Sequence, residues 1–204
     1  MIKVYGVPAS RAFRTLWMLE ELGLPYENIP THFATGDTRK PEFLAINPNG
    51  HIPALVDGDV KMWESMAINL YLAKKYDKGL QPKSIVDEAH AIQWSFWAMT
   101  EVENFLVTVL MNRMMLPQDQ RDPKAAEAAI EKLNKPFAVL DAELSERKYL
   151  AGDTYTVADV NVASVLTWVP LLGIDLEKFP NVKRWLDVCT SRPACKKART
   201  LMGA

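Results

Sequence analysis

Few residues in this sequence have the chemistry for catalysis, and their spacing removes most options at once. The two cysteines, Cys189 and Cys195, form no CxxC pair and lie late in the chain. The three histidines, His32, His51 and His90, are scattered with no cysteine or carboxylate at ligand spacing, so no metal site is expected. What remains is a set of hydroxyls at helix starts and one sharp bend. Ser10 stands ahead of a helical pattern and fits an N-cap, and Ser65 opens another helix, where it too fits an N-cap. The bend is NPNGHIPAL, Asn47 to Leu55, which runs from turn residues straight into an apolar segment. Its Ile52-Pro53 bond admits two readings. One is an ordinary trans turn, the commoner use of such a dipeptide. The other is a cis bond, rare enough to have a purpose. In the second, the N–H and C=O of Ile52 face sideways, and an extended peptide could dock on them as an added strand.

Composition narrows the partners. Twenty-four basic residues balance 25 acidic ones over 204 residues. Nucleic-acid or anionic-membrane binding needs a basic excess that is missing here. No run of eighteen apolar residues occurs, so no membrane span is expected. The first ten residues, MIKVYGVPAS, lack the apolar stretch of a signal peptide. Two cysteines without a pairing pattern suit a reducing, cytoplasmic setting.

The elements that must position these residues change character along the chain. IKVYG alternates and reads as a strand. The helix after Ser10 carries Ala12, Leu16, Leu19 and Leu22 on one face and ends at LGLP. YENIPTHF is a weaker strand limited by Pro30, Pro41 starts a short helical turn, and Asp57-Gly58 joins two strands of a hairpin. A helix then runs from Ser65 to about Tyr76. From Ile85 onward every long segment reads as helix. Ala126, Ile130, Leu133, Phe137, Leu140 and Leu144 mark one face of a long helix, and Pro136 inside it removes one backbone donor and is expected to kink it. Thr156 and Asp159 form a capping-box pattern, with Tyr155 and Val160 as its staple. The expected organisation is an α/β domain over 1–77, a linker over 78–85 and an all-α domain over 86–204.

Strand, helix, strand, NPNGHIPAL, a hairpin, WESMAINLYL and an all-helical half containing YTVADV together resemble the cytosolic glutathione S-transferase family. The resemblance covers essentially the whole chain. It implies a thioredoxin-like N-terminal domain, a helical C-terminal domain and a homodimer. It also implies glutathione as co-substrate with no other cofactor, and a cis proline at Pro53 whose preceding residue, Ile52, pairs its backbone with the ligand.

Glutathione has a free amine, a thiol and two carboxylates, and the resemblance distributes these over named residues. Glu64 and Ser65 stand where the family holds the γ-glutamyl end; helix-start N–H groups can take the carboxylate and Glu64 the ammonium. His51 matches the position that reaches the glycyl carboxylate; Arg39 and Lys40 in the preceding loop could help, though solvated surface charge is the commoner reading of such residues. The thiol must become thiolate to attack. Ser10 matches the catalytic serine in one serine-using register, while in another that slot falls on Ala9. Tyr5 is the second choice, because some classes use a tyrosine near the end of the first strand. A plain N-cap at Ser10 remains a competing reading. Family branches that form mixed disulfides place a cysteine here, and this chain has none. An apolar electrophile is expected to meet Asn104, Thr108, Met111 and Met115, which recur at helical spacing; methionines adapt to varied apolar shapes. The leading expectation is thus a transferase. Glutathione-dependent peroxidase or disulfide-exchange chemistry and a non-catalytic binding module are the alternatives.

Overall fold

Four short strands open the structure, and their order places every loop that matters on one unit. The computed structural model describes residues 1–203. β1 (Ile2–Tyr5), β2 (Tyr26–Ile29), β3 (Ala54–Asp57) and β4 (Val60–Trp63) form one sheet in the order β2-β1-β3-β4. β1 runs parallel to β2 and antiparallel to β3, and β4 is the antiparallel edge. The β1–β2 crossover is α1 (Phe13–Leu22), since parallel neighbours need a long connection. α2 (Pro41–Leu44) is a single turn started by its proline, and α3 (Ser65–Tyr76) follows the hairpin. Val4 and Leu55 on the sheet and Leu16, Trp17 and Leu19 on α1 are fully buried, which makes this layer the core of the unit. α3 packs on α1, and the side-chain amide of Asn69 donates to the Arg14 carbonyl at 3.2 Å.

The remaining long elements are helical, as the apolar periodicity requires. They are α4 (Ile85–Trp97), α5 (Asn104–Leu110), α6 (Pro123–Glu146), α7 (Val157–Leu166), α8 (Trp168–Leu171) and α9 (Pro180–Ser191). α6 continues through Pro136 as one helix. α7 is buried on every side, so its polar groups must be satisfied internally. Thr156 and Asp159 form the expected capping box. The Asp159 carboxylate also accepts from the Leu150 N–H at 3.1 Å and the Trp185 indole N–H at 2.9 Å. Burial pushes the Asp159 carboxyl up to about 6 against the pull of these donors. Asn161 donates to Ser95, whose hydroxyl donates in turn to the Ala91 carbonyl, tying α7 to α4.

The described residues divide into two compact units, 1–81 with 191–203, and 82–190. Here the structure differs from the organisation expected above, which assigned everything after residue 86 to the helical half. α10 (Pro193–Thr200) packs on α1 instead. The physical reason is charge and burial: Arg192 and Lys197 reach Glu21 and Glu20 on α1, and Cys195 and Ala198 are fully buried. Cys189 and Cys195 are both buried, and neither is in a disulfide. Among the described residues no helix is long and apolar enough to cross a membrane, and no group of His, Cys, Asp and Glu could hold a metal ion.

One polar cluster joins the hairpin to α3. Asp57 accepts from Lys75 at 2.8 Å, from the Tyr71 hydroxyl at 3.0 Å and from the Tyr76 hydroxyl at 2.9 Å. Burial alone would raise the Asp57 carboxyl, but the bonds from Lys75, Tyr76 and Tyr71 outweigh it and hold the group below its ordinary value. A carboxyl lowered in the fold stabilises the protein above the unfolded pKa, and that contribution is lost as pH falls through the lower, folded pKa. Asp57→Asn is therefore expected to cost about 1–3 kcal/mol at pH 7. The difference from wild type should shrink below about pH 4, where the unfolded carboxyl gains its proton. Urea unfolding at pH 7 and at pH 3 checks this; an equal difference at both pH values contradicts it.

Candidate functional site

The residues expected to hold glutathione lie in four separate segments of the N-terminal unit. The first is the turn from β1 into α1. Gly6 has φ +147°, and a Cβ there would lie 2.7 Å from the Ala12 Cβ and 3.3 Å from the Ile52 Cβ. The missing side chain lets the Ser10 turn and the Ile52 loop close on the same point. Gly6 is pinned there by its N–H donating to the Ile29 carbonyl at 3.0 Å and its carbonyl accepting from Asn28 at 2.9 Å. Ser10 is extended, with φ −153° and ψ −171°. Its hydroxyl donates to the Val7 carbonyl at 2.6 Å and accepts from the Ala12 N–H at 3.1 Å. The second bond is a capping bond, so the cap reading of Ser10 has a physical basis. The first occupies the single hydroxyl hydrogen.

The second segment is NPNGHIP. Asn47 is buried and organises it: its side-chain Oδ1 accepts from the Asn49 N–H at 3.0 Å, and its side-chain amide donates to the His51 carbonyl at 2.6 Å. The Ile52-Pro53 bond is cis. The β1–β3 register ends at the pair Tyr5 and Ala54, and no ladder pair includes Ile52. Ile52 is half-buried and His51 exposed.

The third segment supplies cations. Gly50, at φ +64°, leaves no room for a side chain: a Cβ would sit 2.7 Å from the Arg39 Nη1 and 3.0 Å from the Thr38 carbonyl oxygen. Arg39 therefore lies against the residue preceding His51. Lys40 turns instead to Asp37 at 2.7 Å. That bond raises the lysine and, with the Thr35 hydroxyl and the His32 N–H, holds the Asp37 carboxyl well below the usual range.

The fourth segment is the start of α3. Ser65 is the first helical residue, as expected, but the cap position that its sequence also fits belongs to Glu64, which makes no side-chain cap bond. Glu64 has φ 71° and ψ 109°, a conformation that costs a non-glycine residue about 1–3 kcal/mol and is common at ligand clamps. Behind it lies Arg14, only 2% exposed, whose guanidinium donates to the Ser65 hydroxyl at 3.5 Å. A helix N-terminus and a buried guanidinium thus present the same sign of charge at one place, which favours a bound carboxylate.

Tyr5 lies half-buried at the end of β1, its ring 6.2 Å from that of Phe43. Asn104, Thr108, Met111 and Met115 belong to the helical unit and share one stripe along α5 and the turn after it. Asn104, Met111 and Met115 are exposed, and the Thr108 hydroxyl donates to the Asn104 carbonyl at 3.0 Å. Met114 is also exposed there.

Sequence reasoning missed Gly6 and Asn47. Asn47 carried a usable signal, because an asparagine ahead of Pro-Asn-Gly readily closes an Asx turn. Gly6 carried none, since its role is a tertiary approach.

Comparison with known proteins agrees with this architecture. Residues 1–74 match the family model for the glutathione S-transferase N-terminal domain, and residues 102–193 match that for the C-terminal domain. The chain is 37% identical to glutathione S-transferase GstB of Escherichia coli K12, over 97% of each chain. It is 39% identical to glutathione S-transferase 3 of Zea mays, covering 96% of this chain and 92% of that one. The crystal structure of the theta class glutathione S-transferase of Xanthomonas axonopodis pv. citri with glutathione bound superposes with a TM-score of 0.90 at 28% identity, covering 97% and 96%. With its two domain models in order and its relatives matched nearly end to end, this chain belongs to the glutathione S-transferase family.

Proposed function

We propose that the protein is a glutathione transferase that binds the tripeptide in its N-terminal unit, favours its thiolate and transfers it to an apolar electrophile. The observation that carries this is the start of α3. A strained Glu64 precedes a helix end without a side-chain cap, and buried Arg14 stands behind it. That arrangement suits an α-amino acid end, with the carboxylate on Ser65 and the helix start and the ammonium on Glu64. The Ile52 backbone, outside the ladder, takes the cysteinyl part, and Pro53 shapes its approach. His51 and Arg39 face the glycyl carboxylate, and Lys40 adds charge at longer range while bonded to Asp37. Asn104, Thr108, Met111 and Met115 receive the electrophile. The reaction needs no metal or further cofactor, because the nucleophile arrives with glutathione.

Thiol activation falls to Ser10, with Tyr5 as the second choice. Lowering a thiol from about 8.5 to about 6.5 takes roughly 2.7 kcal/mol. A hydrogen bond to a charged group supplies about 1.5–3 kcal/mol and a neutral one about 0.5–1.5. Ser10 must give up the Val7 carbonyl to donate to sulfur, so the exchange gains about 1–2 kcal/mol, and the helix start adds about 0.3–1. The sum supports a thiol shift of about 1–2 pKa units. The Val7 bond also favours a second reading: Ser10 stays a turn residue, and a backbone N–H at the helix start is the donor.

A homodimer is the proposed assembly. Ile85, Ile92 and Phe96 recur on one face of α4, and Ile85 and Phe96 are 84% and 67% exposed. A stripe of large apolar residues at that exposure fits an interface between copies.

Three outcomes test these proposals. Calorimetry should show glutathione binding, weakened by about 1–3 kcal/mol in each of Glu64→Ala and Ser65→Ala; a wild type that does not bind overturns the reading. Ser10→Ala should raise the titration midpoint of bound thiol by about one unit and leave affinity nearly intact, with the activity loss shrinking at high pH. A midpoint that moves only in Tyr5→Phe assigns the role to Tyr5, and one that moves in neither assigns it to a backbone N–H. Sedimentation should give a dimer at micromolar concentration and a shift toward monomer in Phe96→Asp; a wild-type monomer contradicts the assembly.

A further inference from the structure

α1 ends in two carboxylates, Glu20 and Glu21, at the end of the helix where the macrodipole is negative. What offsets this comes from far along the chain, with Arg192 lying 171 residues beyond Glu21, and so adds a long-range tie rather than local turn chemistry. Glu21, with a side chain 3% exposed, accepts both the Arg192 Nε and Nη2 at 2.7 Å, and the Trp17 indole N–H at 3.0 Å. Glu20 accepts from the Tyr26 hydroxyl at 2.8 Å and pairs with Lys197 at 2.7 Å. A bidentate guanidinium–carboxylate pair fixes orientation as well as distance. The Lys197 side chain is 71% exposed, so water screens the second pair far more.

Arg192 immediately precedes α10. From there α10 lies on α1, with Cys195 and Ala198 fully buried, and the turn Leu201–Gly203 comes beside residues 8–12. The segment therefore starts at the last turn of α1 and ends at the turn that carries Ser10. That turn holds itself through short-range bonds, from Ser10 to Val7 and from Ala12 to Ser10.

We propose that residues 192–203 are a strap that sets the position of the Ser10 turn, with the Arg192–Glu21 pair as its latch and Lys197–Glu20 as a weaker second hold. Arg192 is a positioning residue: it acts through α10 on the turn and touches neither ligand. The effect on thiol activation rests on the reading of that turn given above; the effect on the turn itself does not.

Two measurements separate these parts. Amide hydrogen exchange in the full-length protein should quicken about tenfold or more across residues 7–13 in Arg192→Gln, less in Lys197→Gln, and recover in part in Arg192→Lys. Exchange that quickens only around residues 17–24 in Arg192→Gln overturns the strap. The titration midpoint of bound glutathione thiol should rise in Arg192→Gln while its affinity stays close to wild type. A midpoint unchanged beside a raised midpoint in Ser10→Ala refutes the link to activation. A wild-type bound thiol that titrates like free glutathione instead refutes the transferase reading and leaves the exchange result to decide the strap. Should Arg192→Gln not fold, Lys197→Gln carries the same comparisons, with unchanged exchange across 7–13 overturning the strap.

Discussion

The close approach at Gly6 is the constraint on which the site depends. Three pieces of chain that are distant in sequence meet there: the end of β1, the turn into α1 and the loop before β3. Any Cβ at this position would overlap Ala12, and the Ser10 turn or the Ile52 loop would have to withdraw. Asn28 and Ile29 hold the Gly6 backbone from the β2 side, so the contact belongs to the sheet as well as to the loops. Packing at this distance works as a fixed geometric choice, because close-packed interiors do not deform smoothly.

Around that point the charges are arranged with different degrees of rigidity. Arg14 is buried and bonded to Ser65, so its position behind the α3 start is fixed. Arg39 is exposed but set against Gly50, whereas Lys40 is committed to Asp37. A ligand carboxylate at the α3 start would thus meet a prebuilt positive site, and one near His51 would meet a softer, wetter one. The strained Glu64 fits the first of these, since backbone strain persists only where the surroundings over-determine it.

The helical unit solves a different problem. α7 is buried all round, so its first turn cannot rely on water. Thr156 and Asp159 satisfy it, and Asp159 extends the same network to Leu150 and Trp185. Beyond α5, Met111, Met114 and Met115 are exposed, while Arg121 holds the turn by donating to the Leu116, Arg113 and Met114 carbonyls.

Much of this was legible in the sequence because it depends on local chemistry. Alternation located the strands, Asp57-Gly58 the hairpin, periodicity the long helices, and the Thr156–Asp159 spacing the capping box. The candidate site residues follow from short motifs, each within its own stretch of chain, read through the family resemblance. What only the tertiary structure decided depends on contacts between stretches. Gly6 looks like any glycine until Ala12 and Ile52 arrive beside it. Ser65 looks like a cap until the backbone at Glu64 turns to positive φ and takes that place. Arg192 and Lys197 look like ordinary surface charges on a late helix, and their targets lie at the far end of the sequence, on α1. Sequence patterns report which face of an element is apolar; which element covers that face, and which distant charge pairs with it, is settled by packing.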